Sequence, residues 1–191
     1  MKKNIFISVL FAFALCLPNP VGAKTSTFSK DGILYELLEN GTLRVLPDVY
    51  YDSEGVERNR YSGNIVIPDM IDEHMVMAIT DRAFARCQNL LSVKLPTYLQ
   101  TIGSLAFSMC PKLTSISIPA NVTSIGEDAF SYGHFKEINV ESGNTVYSSE
   151  DGVLYNYSKT KLITFPTEKE LDDFLYIKEG VEEIGDDAFY I

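Results

Sequence analysis

The pattern Ile-x-x-x-Ala-Phe occurs four times along this chain of 191 residues. The copies begin at Ile79, Ile102, Ile125 and Ile184, so that two successive intervals are 23 residues and the last is 59. A unit of 23 residues cannot bury its own apolar side chains, and such units fold only by stacking on their neighbours. The spacing therefore predicts a solenoid with one repeat in each turn.

Each unit divides into two parts with different periods. In the first part, apolar residues such as Ile116 and Ile118 alternate with polar ones, which is the period of a strand buried on one face. In the second part, Ile102, Phe107 and Cys110 have the spacing of one face of a short helical turn. The sequence thus predicts an α/β repeat solenoid with a parallel ladder of short strands and short helical turns.

The strand positions that point outward form the predicted binding surface. Parallel neighbours lie about 4.8 Å apart, so outward side chains of successive strands stand in rows. These residues are Ser92, Lys94, Ser115, Ser117, Glu137, Asn139, Phe174 and Tyr176, with Ser115, Ser117, Glu137 and Asn139 at the centre.

Two segments outside the regular repeat have the pattern of β-hairpins. Residues 30–47 and 150–166 both contain Asp-Gly followed by an apolar pair and tyrosine, and the first also contains Asn40-Gly41, a strong hairpin signal. We expect residues 24–63 to form an N-terminal hairpin cap followed by a loop at 48–63. Residues 64–191 then form the repeats, interrupted by a hairpin insertion at about 142–170.

Residues 1–23 have the organisation of a secretory signal peptide. Lys2 and Lys3 precede an apolar run that ends at Leu17, and small residues up to Ala23 fit a cleavage site. The run is too short for a membrane-spanning helix. Lipidation at Cys16 is the disfavoured alternative because the preceding residue is a leucine. At the other end the last repeat is incomplete, and we expect either that the natural chain continues past Ile191 or that this chain is a truncated product.

The charge of the chain excludes nucleic acid as a partner. The formal net charge is −10 with two lysines in the predicted signal, so the exported chain carries −12. A strongly acidic surface repels phosphate backbones. We therefore expect an extracellular protein or glycan as the partner, and no membrane insertion after signal cleavage.

No residue pattern indicates catalysis or a cofactor. His74 and His134 lie in no metal-ligand spacing, and the adjacent acids are typical of solvated positions. Cys87 and Cys110 occupy equivalent places in successive repeats, which favours two packed thiols. The sequence leaves a disulfide between them as an alternative, because stacked turns bring such positions close together and export allows oxidation.

Residues 113–130, LTSISIPANVTSIGEDAF, carry a family resemblance. The combined spacing of proline, Ile-Gly and Ala-Phe resembles that of BspA-type leucine-rich repeat proteins, surface proteins of anaerobic gut and oral bacteria. The resemblance covers roughly residues 28–191. It implies a right-handed leucine-rich-repeat stack without cofactors, and adhesion to host matrix proteins or to other cells.

We therefore favour a secreted or surface-displayed protein that binds a macromolecular partner and is not an enzyme. A second hypothesis is a structural spacer or attachment module for a domain beyond the C-terminus. A third, an envelope glycan hydrolase, needs two carboxylates about 5–9.5 Å apart in a pocket, and the sequence suggests no such pair.

Overall fold

The computed structural model describes residues 26–169 and 177–189, which contain seventeen β-strands and no helix. The predicted signal peptide, Phe174 and Tyr176 lie outside these residues. The first nine strands are β1 (Ser26–Lys30), β2 (Ile33–Leu37), β3 (Leu43–Val45), β4 (Val49–Tyr51), β5 (Glu57–Asn59), β6 (Ser62–Val66), β7 (Met70–Ile71), β8 (His74–Ile79) and β9 (Asn89–Lys94). The others are β10 (Thr101–Ile102), β11 (Ser115–Ile118), β12 (Ser124–Ile125), β13 (Glu137–Val140), β14 (Tyr147–Glu150), β15 (Val153–Asn156), β16 (Lys161–Thr164) and β17 (Glu183–Ile184).

Two rows of parallel strands build the stack that the 23-residue interval predicts. In the first row β6 pairs with β9 and β11 pairs with β13, and β9 lies against β11. In the second row β3, β8, β10 and β12 pair in that order, all in parallel. Three successive repeats each contribute one strand to each row (β6 and β8, β9 and β10, β11 and β12), so one repeat forms one turn of the solenoid.

The turns that follow the second row are not helical, and the prediction of helical turns is wrong for the described residues. Leu105 and Met109 both have left-handed backbones, with φ of 56° and 57°. The N–H groups of Leu105, Phe107 and Met109 donate to carbonyls of the next turn at 2.9, 2.8 and 3.2 Å, and not within their own segment. The helical spacing therefore reflects burial of one face, which this irregular turn achieves equally well.

The turns pack through a stack of phenylalanine rings. The Phe84 and Phe107 rings are parallel within 6° at a centroid distance of 5.2 Å, and Phe107 and Phe130 within 5° at 6.0 Å. The stack is closed by Tyr61 on one side and by the edge of Phe135 on the other. All five side chains are buried, so the stack runs through the core of the repeats.

Glycine in the Ile-Gly pair is required by the neighbouring turn. A Cβ on Gly103 would lie 2.4 Å from the backbone nitrogen of Asp81, and one on Gly126 would lie 2.4 Å from that of Ser104. The first copy has Thr80 at this place, and it follows β3 instead of another turn. Its N–H and its hydroxyl both donate to the carbonyl of Val45, at 3.0 and 2.8 Å. A side chain is therefore tolerated only where no turn precedes.

Both segments expected to be hairpins form three-stranded antiparallel meanders, β1–β2–β3 and β14–β15–β16. Their first turns are alike: Asp31-Gly32 has φ of 52° and 76°, and Asp151-Gly152 has the same pair of values. The stretch expected to be a loop, residues 48–63, contains instead the antiparallel pair β4–β5. Asp52 shapes its turn, because its carboxylate accepts the N–H groups of Glu54 and Val56.

Truncation of the central ring of the stack tests this packing. We expect Phe107→Ala to lower the free energy of unfolding by about 3–5 kcal/mol, because it removes a fully buried ring and leaves a cavity between two others. The control is Tyr157→Ala, at an exposed tyrosine, which should change stability by less than about 0.5 kcal/mol. Urea unfolding followed by circular dichroism measures both, and equal losses would contradict the prediction.

Candidate binding surfaces

The outward positions of the first strand row lie together on one face, here called the ladder face: Asn64, Val66, Ser92, Lys94, Ser115, Ser117, Glu137 and Asn139. Ser115 is the register partner of Glu137, and Ser117 that of Asn139. All eight are exposed except Asn139, which is half-buried. Tyr176, also expected here, lies outside the described residues.

Hydroxyl and amide groups dominate the ladder face. Lys94 is its one cation and Glu137 its one anion among the described residues, so it is close to neutral on a strongly acidic chain. Ser92 Oγ donates to Asn64 Oδ1 at 2.7 Å, which orients this pair across two strands. Val66 adds an apolar position that is 61% exposed. Asn64 and Val66 were missed in the sequence, although they have the same alternation as Ser92 and Lys94.

The second meander borders the ladder face along β13. Ile138 N–H donates to the carbonyl of Gly152 at 2.8 Å, and Val140 N–H donates to Ser149 Oγ at 2.8 Å. A Cβ on Gly152 would lie 2.7 Å from that of Glu137, so the glycine allows this close approach. The ladder face is thereby bounded on this side by another segment of the chain.

A second concave surface lies beside the β4–β5 pair. A cavity of about 460 Å³ is lined by Tyr50, Arg58, Arg60, Gln88 and Asn89 among others. The Arg60 guanidinium lies 5.1 Å from the centre of the Tyr50 ring and bonds to Asp48 at 2.6 Å. Arg58 Nε bonds to Asp52 at 2.9 Å. The pKa of Asp52 is lowered, first by the N–H of Val56 and then by Arg58.

The two cysteines are free, buried thiols in the repeat core. Cys110 Sγ–H donates to the carbonyl of Phe84 at 3.0 Å. The pKa of the Cys87 thiol is raised well above its ordinary value, first by the hydrogen bond between Cys87 and Cys110 and then by burial. A neutral buried thiol is a poor nucleophile and a poor metal ligand. This agrees with the interpretation as packed core residues.

The histidines have local partners and no shared site. His74 Nδ1 lies 2.8 Å from the carbonyl oxygen of Gly41, and His134 Nδ1 lies 2.9 Å from a carboxylate oxygen of Glu168. Among residues 26–169 and 177–189, no group of three or more histidine, cysteine or acidic side chains could hold a metal ion. The same residues include no helix that is long and apolar enough to cross a membrane.

Comparison with known proteins places the chain among bacterial repeat proteins. The model of the BspA type leucine-rich repeat region matches residues 59–176 in six copies. We found no significant match among curated protein sequences.

Solved structures of repeat proteins are similar to this one. The pneumococcal vaccine antigen PcpA is 21% identical over 86% of this chain, with a TM-score of 0.54, and it shows the same fold. This chain spans 62% of the PcpA chain. Leucine-rich repeat proteins from Bacteroides capillosus and Faecalibacterium prausnitzii are 24% and 15% identical. They match over 61% and 87% of this chain and 99% and 74% of their own, with TM-scores of 0.42 and 0.40.

The burial of the thiols predicts slow modification. In a Cys16→Ser variant, we expect Cys87 and Cys110 to react with Ellman's reagent only as fast as the native state opens, because both thiols are buried and inaccessible. In urea both should react at the rate of free cysteine. An added Ser142→Cys substitution at an exposed position supplies the fast-reacting control. Absence of both thiols in urea without reductant would instead indicate a disulfide.

Proposed function

Because the chain belongs to the BspA-type leucine-rich repeat family, we propose that it is an exported, surface-associated binding protein whose ladder face recognises an extracellular protein or glycan. Leucine-rich repeat proteins typically act as binding or structural modules. The predicted signal peptide supports the extracellular location.

The register of the ladder face is the observation that carries this proposal. Serine, asparagine and glutamate side chains stand at paired Cα positions within β6–β9 and within β11–β13, and β9 lies against β11, so their polar groups share one face. The strands beneath are held by buried residues such as Ile116, Ile118 and Ile138. A rigid array of hydroxyl, amide and carboxylate groups suits a broad and nearly flat partner surface, in which many modest hydrogen bonds add up.

Two other functions are weaker candidates. A spacer or attachment module uses the same stack without any recognition face, and a domain encoded downstream of residue 191 would support it. A glycan hydrolase requires a pair of carboxylates in a pocket, and on the ladder face Glu137 is the one carboxylate among the described residues. For the ladder face we therefore propose binding without catalysis.

Replacement of the polar side chains at the centre of the ladder face by lysine tests the proposal. We expect a variant with lysine at Ser115, Ser117, Glu137 and Asn139 to lose at least tenfold in affinity, because it replaces hydrogen-bonding groups with long cations. The measurement is binding of the exported chain to an array of immobilised matrix glycoproteins and glycans.

A matched control carries the same change in charge elsewhere. Lysine at Ser53, Glu54, Gln100 and Thr123 uses exposed positions outside the ladder face. Saturable binding that the control keeps and the ladder variant loses supports the proposal. Equal binding by both variants moves the site to another surface, and no binding by a folded wild-type chain favours the spacer.

A further inference from the structure

The stack of turns is interrupted after the third Ile-x-x-x-Ala-Phe unit. Arg82, Phe84 and Arg86 of the first turn donate their N–H groups to the second turn at 2.9, 2.8 and 2.9 Å. The second turn bonds to the third in the same way. The fourth unit does not continue this series, because its strand β17 pairs with β16 of the second meander. The third turn therefore has no following turn in register.

The interruption leaves backbone donors of the third turn open. Asp128 and Phe130 stand where Leu105 and Phe107 stand in the second turn, and those two donate to Glu127 and Ala129 at 2.9 and 2.8 Å. Neither the Asp128 N–H nor the Phe130 N–H has an acceptor in the part of the chain that the structure describes. Backbone N–H groups of folded proteins pair with protein acceptors or with water, so these two donors mark an edge of the stack to which a further backbone segment can bond.

Elsewhere, backbone groups that lack a neighbouring turn form hydrogen bonds with other parts of the chain. The Asn59 side-chain amide donates to the carbonyl of Ala83 at 2.8 Å, where a preceding turn would otherwise bond. Phe165 N–H donates to the carbonyl of Ala188 at 2.7 Å. Even the third turn is closed at Ile125, whose N–H donates to the hydroxyl of Tyr147 at 3.0 Å. Asp128 and Phe130 are thus two open donors at positions whose equivalents in the first and second turns bond to a following turn.

These donors line a groove between the third turn and the fourth unit. The groove has a volume of about 420 Å³, with residues 125–131 on one side and Gly185, Asp186 and Asp187 on the other. Lys161, Ile163 and Thr164 of β16 also line it. It is long and open rather than a closed pocket, because it occupies the place of a missing turn.

The charge of the groove selects its occupant. Glu127, Asp128, Asp186 and Asp187 line it, and Lys161 is the one cation among its described residues. Lys161 Nζ is already bonded to Glu183 at 2.5 Å, which neutralises it. The carboxylates of Glu127, Asp186 and Asp187 are exposed and have no ion-pair partner closer than 4.0 Å among the described residues. A basic segment fits this surface, and an acidic one is repelled.

We propose that this groove binds an extended basic segment of a partner protein by continuing the interturn hydrogen-bond ladder. Carbonyl groups on one side of an extended segment recur at every second residue, and the two open donors, Asp128 and Phe130, are likewise two residues apart. Lysine or arginine side chains of the segment reach the carboxylates on both walls. The site is separate from the ladder face and does not depend on it.

The experiment uses the full chain and a labelled probe peptide, acetyl-Lys-Thr-Lys-Thr-Lys-Thr amide. Fluorescence polarisation measures affinity, and hydrogen exchange followed by NMR reports on individual amides. We expect saturable binding that weakens with added salt and slows exchange at Asp128 and Phe130. The corresponding peptide with glutamate in place of lysine should not bind.

Two variants with the same change in charge locate the site. Glu127→Lys with Asp187→Lys should weaken binding of the lysine peptide at least tenfold, whereas Glu54→Lys with Glu73→Lys, outside the groove, should leave it within twofold. Equal effects of the two pairs, no binding, or unchanged exchange at both amides overturns the proposal. Protection of these amides that rises with protein concentration in the absence of peptide also overturns it, since a second copy would then fill the groove.

Discussion

Hydrogen bonds between the backbones of successive turns are the interaction on which the rest of this structure depends. In an α-helix each N–H group finds its acceptor within the same segment. Here alternate N–H groups, such as those of Leu105 and Phe107, find theirs on the next turn. A single turn therefore cannot satisfy its own backbone, and the stack as a whole is the smallest unit that is stable.

The close approach that these bonds impose decides which residues each repeat tolerates. Gly103 and Gly126 leave no room for a Cβ, because backbone atoms of the preceding turn lie within 2.4 Å of its ideal position. Phenylalanine rings of successive turns stack at centroid distances of 5.2 and 6.0 Å, so the ring of one repeat packs directly on that of the next. Thr80 departs from the pattern where the preceding element is a strand, which shows that the neighbour sets the requirement.

Sequence patterns predicted the stack and the ladder face because both depend on side-chain periodicity. The alternation around Ser115 and Ser117 is visible in the letters, and their exposure follows from it. Helical turns were predicted wrongly because the burial pattern of Ile102, Phe107 and Cys110 does not distinguish a helix from a turn with left-handed residues. The groove between the third turn and the fourth unit could not be predicted from the sequence. Whether a backbone N–H group has an acceptor depends on which segments lie next to each other in the fold, and side-chain patterns do not reveal this.

The repeated meander explains why the stack is interrupted where it is. In both meanders the third strand pairs in parallel with a strand that ends in the isoleucine of an Ile-x-x-x-Ala-Phe unit: β3 with β8 and β16 with β17. The second meander therefore begins a new stack for the fourth unit, while its Gly152 carbonyl bonds to β13 of the old one. Three antiparallel strands continue a strand row, but none of their carbonyls accepts from the N–H groups of Asp128 or Phe130. The open edge is thus a geometric consequence of restarting the stack inside one chain.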